Sequence, residues 1–394
     1  MSTDYTKFVN PGVAAVPPSG IRKFFDIVAT MPDAISLGVG EPDFVTPYHI
    51  RNAAINSIVD GETQYTSNWG TLSLRREISQ YLARRYHLTY HPEREILVTV
   101  GASEAIDLAL RAILTPGDEV LVPDPSYVSY SPGVLFSGGV PVGVKTDGAM
   151  DFKLTAKAVG EKITPRTKAL ILPYPNNPTG AVMERADLNA LAEVIRESNI
   201  LVISDEIYSE LTYAPDPHVS FASLPDMWER TITINGFSKA FAMTGWRMGY
   251  VCAPGQLLDA MFKIHQYTIM CAPRQGQVAA EQALRMGREN NYEDIATMRR
   301  SYDQRRRLMV DAFRKMGLDC FEPLGAFYVF PSIGKTGLLS EEFCERLLKS
   351  QKVACVPGTA FGPGGEGHIR CCYATALDKL NLALSRIEAF LKEL

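Results

Sequence analysis

The lysine at position 239 lies in a stretch whose residue types could support covalent chemistry, TITINGFSKAFAMTGWRMGY (Thr231–Tyr250). A β-rich run leads to Ser238 and Lys239, and Arg247 follows eight residues later, a spacing that predicts two helical turns. Desolvation and nearby cations lower the pKa of a lysine, so that its neutral amine can form a Schiff base with an aldehyde. The hydroxyl and the guanidinium could hold a phosphate on the same ligand. A Ser-Lys pair alone is more often a solvated surface feature, so this interpretation depends on the rest of the chain.

Several other polar or aromatic residues come directly after apolar, strand-like runs. The run EILVTV leads to Ala102 and Ser103, whose backbone amides would start a helix. Unpaired N–H groups and the positive end of the helix dipole favour a phosphate there, although many α/β turns look alike. Three further runs are followed by Tyr127, by Asn177, and by Asp205 with Tyr208.

Taken together, these residues match the needs of a pyridine aldehyde that carries a phosphate. Such a ligand needs an amine, phosphate donors, a flat face over its ring, and partners for its ring nitrogen and ring oxygen. The residues available for these tasks, in that order, are Lys239; Ala102, Ser103, Ser238 and Arg247; Tyr127; Asp205; and Asn177 with Tyr208. Each has a simpler alternative, since Tyr127 could be a packing residue and Asp205 a solvated or helix-capping carboxylate.

Alternating strands and helices must position these side chains. The runs EVLVPD, KALILP and NILVISD are largely apolar, which is typical of parallel strands that are buried on both faces. In open sheets of this kind, ligands bind beyond the carboxyl ends of the strands, so the residues above are predicted to converge at one edge. The sequence therefore predicts an α/β fold, with a mostly parallel sheet sandwiched by helices in a large domain and a smaller α+β domain.

Composition excludes several classes of function. The net charge is −4 with mixed signs, so there is no basic footprint for nucleic acid. The N-terminus lacks an apolar signal core, and no stretch reaches the ~18 apolar residues of a membrane span, so a cytoplasmic protein is expected. The seven cysteines have no metal-ligand spacing, so no metal is expected.

The 394-residue chain is too long for one ordinary compact core, so it is predicted to divide into domains where the residue pattern changes. Residues 1–45 are expected to form an N-terminal arm and a first helix at Ile21–Ala29, both packing with the small domain. Residues 46–285 are expected to form the large domain. Residues 286–394 would form the small C-terminal domain, with a long charged helix at residues 289–316.

Four motifs are similar to those of one family: NNPTG (176–180), SDEIY (204–208), GFSKAFAMTGWRMGY (236–250) and GHIRCCYAT (367–375). On these motifs, and over nearly the whole chain, the sequence resembles the fold-type I aminotransferases of class I/II, the aspartate/aromatic aminotransferase-like enzymes. The resemblance implies pyridoxal 5'-phosphate as the cofactor and a transaminase as the enzyme.

The resemblance also implies a role for each candidate residue. Lys239 would bind the cofactor aldehyde and later move the proton between the substrate Cα and the cofactor. Asp205 would pair with the ring nitrogen, while Asn177 and Tyr208 would contact the ring oxygen. The phosphate would be held by four residues and the ring covered by a fifth: Ala102, Ser103, Ser238 and Arg247, with Tyr127 stacking.

Substrate binding and assembly are implied in the same way. Arg370 would bind the α-carboxylate in a bidentate pair, with Gly40 and Asn177 close by; alternatively, it could form a structural ion pair. Tyr65 matches the tyrosine that reaches the phosphate of the partner subunit's cofactor, so a homodimer with active sites at its interface is implied. One departure is Gly236, where many relatives have a serine or threonine that binds phosphate.

The expected reaction moves the amino group of an L-amino acid to a 2-oxo acid such as 2-oxoglutarate by a ping-pong mechanism. Segments such as GAFYVFPSI are similar to aromatic and broad-specificity enzymes, so an aromatic or dicarboxylic donor is expected. LPYPNNPTG is equally similar to enzymes that act on acylated diaminopimelate or aspartate. The alternatives are an acyl-diaminopimelate aminotransferase and a pyridoxal-phosphate-dependent β-elimination lyase. A transcription-regulator domain is not expected, because only ~30 residues precede the first strand.

Overall fold

Strands and helices alternate along most of the chain. The computed structural model describes residues 3–18, 20, 31 and 33–394. The strands, in chain order, are β1 (Ile35–Ser36), β2 (Ile96–Val100), β3 (Glu119–Asp124), β4 (Val140–Lys145), β5 (Thr167–Leu172), β6 (Leu201–Asp205), β7 (Thr231–Gly236), β8 (Met248–Cys252), β9 (Tyr328–Val329), β10 (Val353–Ala354), β11 (Val356–Pro357) and β12 (Ile369–Cys372). The helices are α1 (Pro11–Ala14), α2 (Tyr48–Val59), α3 (Leu72–Tyr86), α4 (Gly101–Ile113), α5 (Tyr130–Phe136), α6 (Ala156–Gly160), α7 (Arg185–Ser198), α8 (Gly255–Thr268), α9 (Arg274–Glu289), α10 (Glu293–Lys315), α11 (Ser340–Gln351) and α12 (Leu377–Glu393).

Seven strands form the central sheet, in the order β2-β8-β7-β6-β5-β3-β4. Strand β8 runs antiparallel to both of its neighbours, and the other paired strands run parallel. The prediction of a mostly parallel sheet flanked by helices is confirmed. The polar residues that follow β3, β5 and β6 therefore reach the same edge of the sheet, as the parallel arrangement requires.

Alternate side chains of the central strands enter two different cores. In β5, Leu170 and Leu172 belong to one buried cluster, which also contains the apolar face of α7. Ala169 and Ile171 belong to a second cluster, which also contains the apolar face of α4. Because successive residues of a strand point to opposite faces, a run that is apolar at every position indicates a sheet covered on both sides.

The chain between Lys239 and Arg247 forms a series of turns, so the prediction of two helical turns was wrong. Ala242 and Arg247 have φ angles of 52° and 53°, a left-handed backbone that cannot continue an α-helix. After these turns the chain reverses into the buried strand β8, in which Gly249 lies opposite Gly236 of β7. Pairing of two apolar strands thus outweighs the local helical pattern, and this reversal brings the lysine and the arginine to one end of the sheet.

A further hydrophobic cluster contains most of the apolar side chains of the C-terminal third. Its sheet has the order β11-β12-β9 and is antiparallel, and β1 pairs in parallel with β10. Ile35 and Leu37 belong to the same cluster as Phe327, Ile369 and Ile387. The segment around β1 therefore packs with the C-terminal third of the chain.

The predicted N-terminal features are described only in part. The first helix predicted at Ile21–Ala29 lies outside the described residues. Within residues 3–18 there is one 3-10 turn and the short helix α1, and neither buries a side chain. The long charged helix predicted at residues 289–316 is present as α10, which begins only at Glu293, because Glu289 still belongs to α9. The domain boundaries at 45 and 285 stay a prediction.

Candidate active site

A cavity of about 770 Å³ lies beyond the carboxyl ends of the parallel strands. With one exception, the residues predicted to take part in the site line this cavity: Gly40, Ala102, Ser103, Tyr127, Asn177, Asp205, Tyr208, Ser238, Lys239, Arg247 and Arg370. The exception is Tyr65, whose side chain is 82% exposed and lies outside the cavity. One chain therefore brings together all of the predicted site residues except the one expected to act in the partner subunit.

Lys239 points into the cavity from the turn that follows β7. Its Nζ donates a hydrogen bond to the carbonyl oxygen of Gly40 at 2.7 Å. Burial lowers the pKa of Lys239 to about 8, against smaller opposing effects from Cys372 and Glu41. A pKa near neutrality leaves a useful fraction of the amine uncharged, which is the nucleophilic form.

Asp205 ends strand β6 and is buried, with 5% of its surface exposed. The Tyr130 hydroxyl donates to its Oδ2 at 2.8 Å, and the Ile207 amide donates to its Oδ1 at 3.2 Å. Burial raises the pKa of Asp205 to about 6, although these two hydrogen bonds lower it. The arrangement holds a carboxylate in a low-dielectric position where a cationic partner would be strongly favoured.

The N-terminus of α4 provides one wall of the cavity. The helix begins at Gly101, which has a φ of +72°, and places Ala102 and Ser103 in its first turn. The Arg247 guanidinium packs directly on Gly101, where an added Cβ would lie 2.6 Å from Nη2. Arg247 also donates to the carbonyl oxygen of Thr244 at 3.1 Å. Free backbone amides beside a guanidinium make this wall suitable for a phosphate.

Arg370 lies in β12, with 2% of its surface exposed. Its Nη1 donates to Asn177 Oδ1 at 2.8 Å, and its Nη2 donates to the carbonyl oxygen of Gly38 at 2.5 Å. Among the described residues, its Nε has no hydrogen-bond partner. The guanidinium lies over the rings of Tyr328 and Phe361, at 4.4 and 4.8 Å from their centroids. A buried guanidinium with donor capacity left over is suited to a carboxylate ligand.

Two tyrosines at the site were not predicted from the sequence. Tyr130 bonds Asp205, and Tyr328 lies with its hydroxyl 2.8 Å from that of Tyr208. Tyr130 follows three residues after Tyr127 in PSYVSY, and Tyr328 lies in GAFYVFPSI. Neither segment carries a spacing signal for these contacts, because the partners lie 75 and 120 residues away in the chain.

Pyridoxal 5'-phosphate fits this set of donors. The cavity volume is adequate for the cofactor together with an amino acid. A half-buried amine, a helix N-terminus with an adjacent arginine, and a buried carboxylate correspond to the aldehyde, the phosphate and the protonated ring nitrogen. The unpartnered Nε of Arg370 is available to a substrate carboxylate.

In the described part of the chain, no group of three or more His, Cys, Asp or Glu side chains is arranged to hold a metal ion. Within residues 3–18, 20, 31 and 33–394, no helix is both long enough and apolar enough to cross a membrane.

Comparisons with known proteins agree with this geometry. The family model described as "Aminotransferase class I and II" matches residues 32–387. The chain is 47% identical to an aspartate aminotransferase of Pyrococcus abyssi (strain GE5 / Orsay), over 96% of this chain and 97% of that protein. It is 43% identical to aromatic-amino-acid aminotransferase 2 of Thermococcus litoralis, over 96% of this chain and 97% of that protein. Among solved structures, the aspartate aminotransferase from Thermus thermophilus with maleate matches with a TM-score of 0.92 at 37% identity, over 97% of this chain and 99% of that one.

Proposed function

The chain belongs to the class I and II aminotransferases, enzymes that use pyridoxal 5'-phosphate, and on that premise we propose its reaction and its site roles. It moves the α-amino group of an aromatic or dicarboxylic L-amino acid to a 2-oxo acid such as 2-oxoglutarate, by a ping-pong mechanism. The observation that carries the proposal is the presence, in one cavity, of an amine with a lowered pKa and a buried arginine with spare donors.

Lys239 has two tasks in this proposal. When bound, the cofactor supplies an aldehyde that captures amines and a protonated ring that accepts the electron pair left at the substrate Cα. The Lys239 Nζ would hold the cofactor through this aldehyde, which its lowered pKa favours. When it is not attached, Nζ would be the base that takes the proton from the substrate Cα and later gives a proton back.

Asp205 would keep the ring nitrogen of the bound cofactor protonated. Its carboxylate is buried, so water screens its electrostatic attraction for a neighbouring positive charge only weakly. Tyr130 donates to one carboxylate oxygen and so fixes the orientation of the other. In this proposal Tyr130 is a positioning residue and Asp205 is the group that touches the cofactor.

The remaining cofactor contacts follow from the walls of the cavity. Asn177 and Tyr208 would donate to the ring oxygen, and Tyr127 would cover one face of the ring. The phosphate would be held by the cavity residues at the start of α4 and after β7: Ala102, Ser103, Ser238 and Arg247. Ser238 supplies the only hydroxyl of the segment 236–239, because Gly236 occupies the position where many relatives have a serine or threonine.

Arg370 binds the α-carboxylate of the substrate. Asn177, already bonded to Nη1, and Gly40, next to Lys239, lie beside that position and would contact the same group. Because the guanidinium is buried, water screens this charge-assisted pair little, and the pair is stronger than it would be in solvent.

The choice of an aromatic or dicarboxylic donor is supported by two of the relatives. One is named an aspartate aminotransferase and another an aromatic-amino-acid aminotransferase, and both are similar to this chain over nearly its full length. The Thermus thermophilus structure was solved with maleate, a dicarboxylate.

A homodimer is part of the proposal. Tyr65 is 82% exposed, and two segments carry further exposed apolar side chains, namely Ile55, Ile58 and Val59 of α2, and Tyr267, Ile269 and Met270 at and just after the end of α8. An ion pair between Glu62 and Arg274 connects the residues that follow these two segments. In this proposal the exposed side chains form one apolar patch, as is typical of a protein interface. In the dimer, Tyr65 would reach the phosphate in the partner subunit.

The proposal is tested by titrating the cofactor-loaded protein with a panel of L-amino acids while its absorbance is recorded. Amino donors convert the cofactor to its amine form and bleach the long-wavelength band, and their rank order identifies the substrate class. Initial rates at several donor and acceptor concentrations should give parallel double-reciprocal lines. A protein that released pyruvate and ammonia without forming glutamate from 2-oxoglutarate would instead be a lyase, and a protein without a cofactor band would refute the proposal altogether.

A further inference from the structure

Tyr328 lies at the centre of the proposed site, although no sequence pattern marks it. It is 1% exposed and belongs to β9, where it pairs with Cys372 of β12. Its side chain borders the cavity and contacts groups that have three different proposed tasks. These groups are the Tyr208 hydroxyl, the Arg370 guanidinium and the backbone of Gly40.

The hydroxyl of Tyr328 lies 2.8 Å from that of Tyr208, so one of the two donates to the other. Burial raises the pKa of both phenols well above the usual range, so both stay protonated. Each hydroxyl has one proton to donate. If Tyr208 donates its proton to the cofactor ring oxygen, Tyr328 must be the donor in the bond between them.

The ring of Tyr328 lies beneath the substrate-binding arginine. The Arg370 Cζ is 4.4 Å from the ring centroid, well within the range of a cation–π contact. Such a contact is stronger when it is removed from water, and both side chains are buried. The ring therefore fixes the plane in which the guanidinium presents its donors.

Gly40 completes the arrangement around the hydroxyl. A Cβ added to Gly40 would lie 2.4 Å from the Tyr328 oxygen, so this backbone packs directly against the phenol. The same residue accepts the hydrogen bond from Lys239. The Tyr328 hydroxyl is thus held in place from the substrate side as well as from the cofactor side.

We propose that Tyr328 is a positioning residue that serves cofactor and substrate through separate parts of one side chain. Its hydroxyl donates to Tyr208 and directs the Tyr208 proton toward the cofactor ring oxygen. Its ring supports the Arg370 guanidinium for the substrate carboxylate. The inference rests on the proposed function, since it assigns the partners that Tyr208 and Arg370 need for their roles.

Two substitutions separate the two parts of the side chain. Tyr328→Phe removes the hydroxyl and keeps the ring, whereas Tyr328→Leu removes both. Because donors to the ring oxygen lower the pH midpoint of the absorbance change of the lysine-bound cofactor, Tyr328→Phe should raise that midpoint by about 0.5 to 1 unit. Its affinity for maleate, measured by calorimetry, should stay within about twofold of the wild type.

Tyr328→Leu should raise the same midpoint and, in addition, lower the affinity for maleate by about three- to thirtyfold. Phe361→Leu is the matched control, because Phe361 also contacts the Arg370 guanidinium, at 4.8 Å, and has no hydroxyl. It should weaken maleate and leave the midpoint unchanged. A purely structural role for Tyr328 would not divide the two readouts in this way.

A wild-type midpoint in Tyr328→Phe would overturn the inference, and so would equal maleate affinity in Tyr328→Phe and Tyr328→Leu. Should the leucine variant not fold, the midpoint of the phenylalanine variant decides alone. These failures differ from a failure of the proposed function, in which the wild-type protein itself would show no cofactor band or no amino-group transfer.

Discussion

Lys239 and Asp205 are ionisable residues whose pKa values burial moves toward neutrality from opposite sides. Burial lowers the pKa of Lys239 to about 8 and raises that of Asp205 to about 6. The physical cause is the same, because a low-dielectric surrounding disfavours the charged form of either group. The cofactor-free site therefore lowers the free energy of unfolding, and a bound ligand with a phosphate and a cationic ring would offset that loss.

The first prediction concerns the rate at which Lys239 captures the cofactor. With a pKa of about 8, roughly a quarter of the amine is neutral at pH 7.5, compared with about one part in a thousand for an unperturbed lysine. The capture rate of the cofactor-free protein should rise up to about pH 8 and then level off. Stopped-flow absorbance with pyridoxal 5'-phosphate measures it, and borohydride reduction followed by peptide mapping should label Lys239. A rate still rising tenfold per unit at pH 9 would contradict the lowered pKa.

The second prediction concerns Asp205 and the stability of the cofactor-free protein. Its folded pKa of about 6 lies above the unfolded value of 3.8, so between these values the folded state binds more protons and stability falls as pH rises. The loss amounts to about 3 kcal/mol by pH 7. Asp205→Asn should remove this pH dependence from chemical denaturation curves while reducing transaminase activity at least about a hundredfold.

Asp259→Asn, on an exposed position of α8, is the control and should keep the wild-type slope. If Asp205→Asn lost stability with rising pH as steeply as the wild type, the buried carboxylate would not be the cause.

At the scale of elements, the phosphate wall depends on how closely β8 approaches the start of α4. A Cβ added to Gly249 would lie 2.5 Å from the Gly101 carbonyl carbon and 2.6 Å from the Ala102 nitrogen. A Cβ atom is essentially never found so close to a non-bonded backbone atom. The start of α4 and strand β8 can therefore adopt these positions only with glycine at position 249. The reversal of β8 thereby sets both the position of Arg247 and the position of the amides.

The third prediction is that Gly249→Ala weakens cofactor binding. The added methyl group must push the N-terminus of α4 away, which separates the backbone amides from Arg247. The dissociation constant for pyridoxal 5'-phosphate should rise by tenfold or more, which corresponds to about 1.4 kcal/mol. Gly245→Ala is the matched control, since nothing lies within 4 Å of its added Cβ. Equal affinities in the two variants would show that the close approach is unimportant.

The sequence predicted the sheet and most of the candidate site because both depend on local patterns. Apolar runs predict buried strands, and the residues that follow them converge by the geometry of a parallel sheet. Tyr130 and Tyr328 could not be predicted, because each acts on a residue far away in the chain. The path from Lys239 to Arg247 was predicted wrongly, because strand pairing, which a local pattern does not reveal, decides it.

At the scale of the whole molecule, the exposed patch around Tyr65 has the apolar character of a subunit interface. Burying apolar surface contributes about 25 cal/mol per Å², so covering these side chains in a dimer would offset part of the entropy that association costs. The homodimer and the role of Tyr65 belong to the proposal, whereas the cytoplasmic location and the domain boundaries stay predictions from the sequence.

The fourth prediction tests this interface. Ile58→Glu places a charge in the proposed patch, where Ile58 is 57% exposed in the single chain. Burying this unpaired glutamate charge in the interface would be costly. Sedimentation should therefore show a monomer, and the affinity for the cofactor should fall. Leu382→Glu, at a 48% exposed position of α12, is the control and should behave as the wild type. A monomeric wild-type protein, or an unchanged Ile58→Glu dimer, would refute this interface.

The short segment 38–40 accepts a hydrogen bond from each of the two cations on which the proposed reaction depends. Arg370 binds the carbonyl oxygen of Gly38, and Lys239 binds that of Gly40. In the proposed reaction, attachment of the cofactor would withdraw the lysine from this bond, and an incoming carboxylate would compete for the arginine. The backbone of segment 38–40 should therefore change its mobility when cofactor or substrate binds. The deuterium uptake of its amides would then report site occupancy even for substrates that leave the absorbance unaltered.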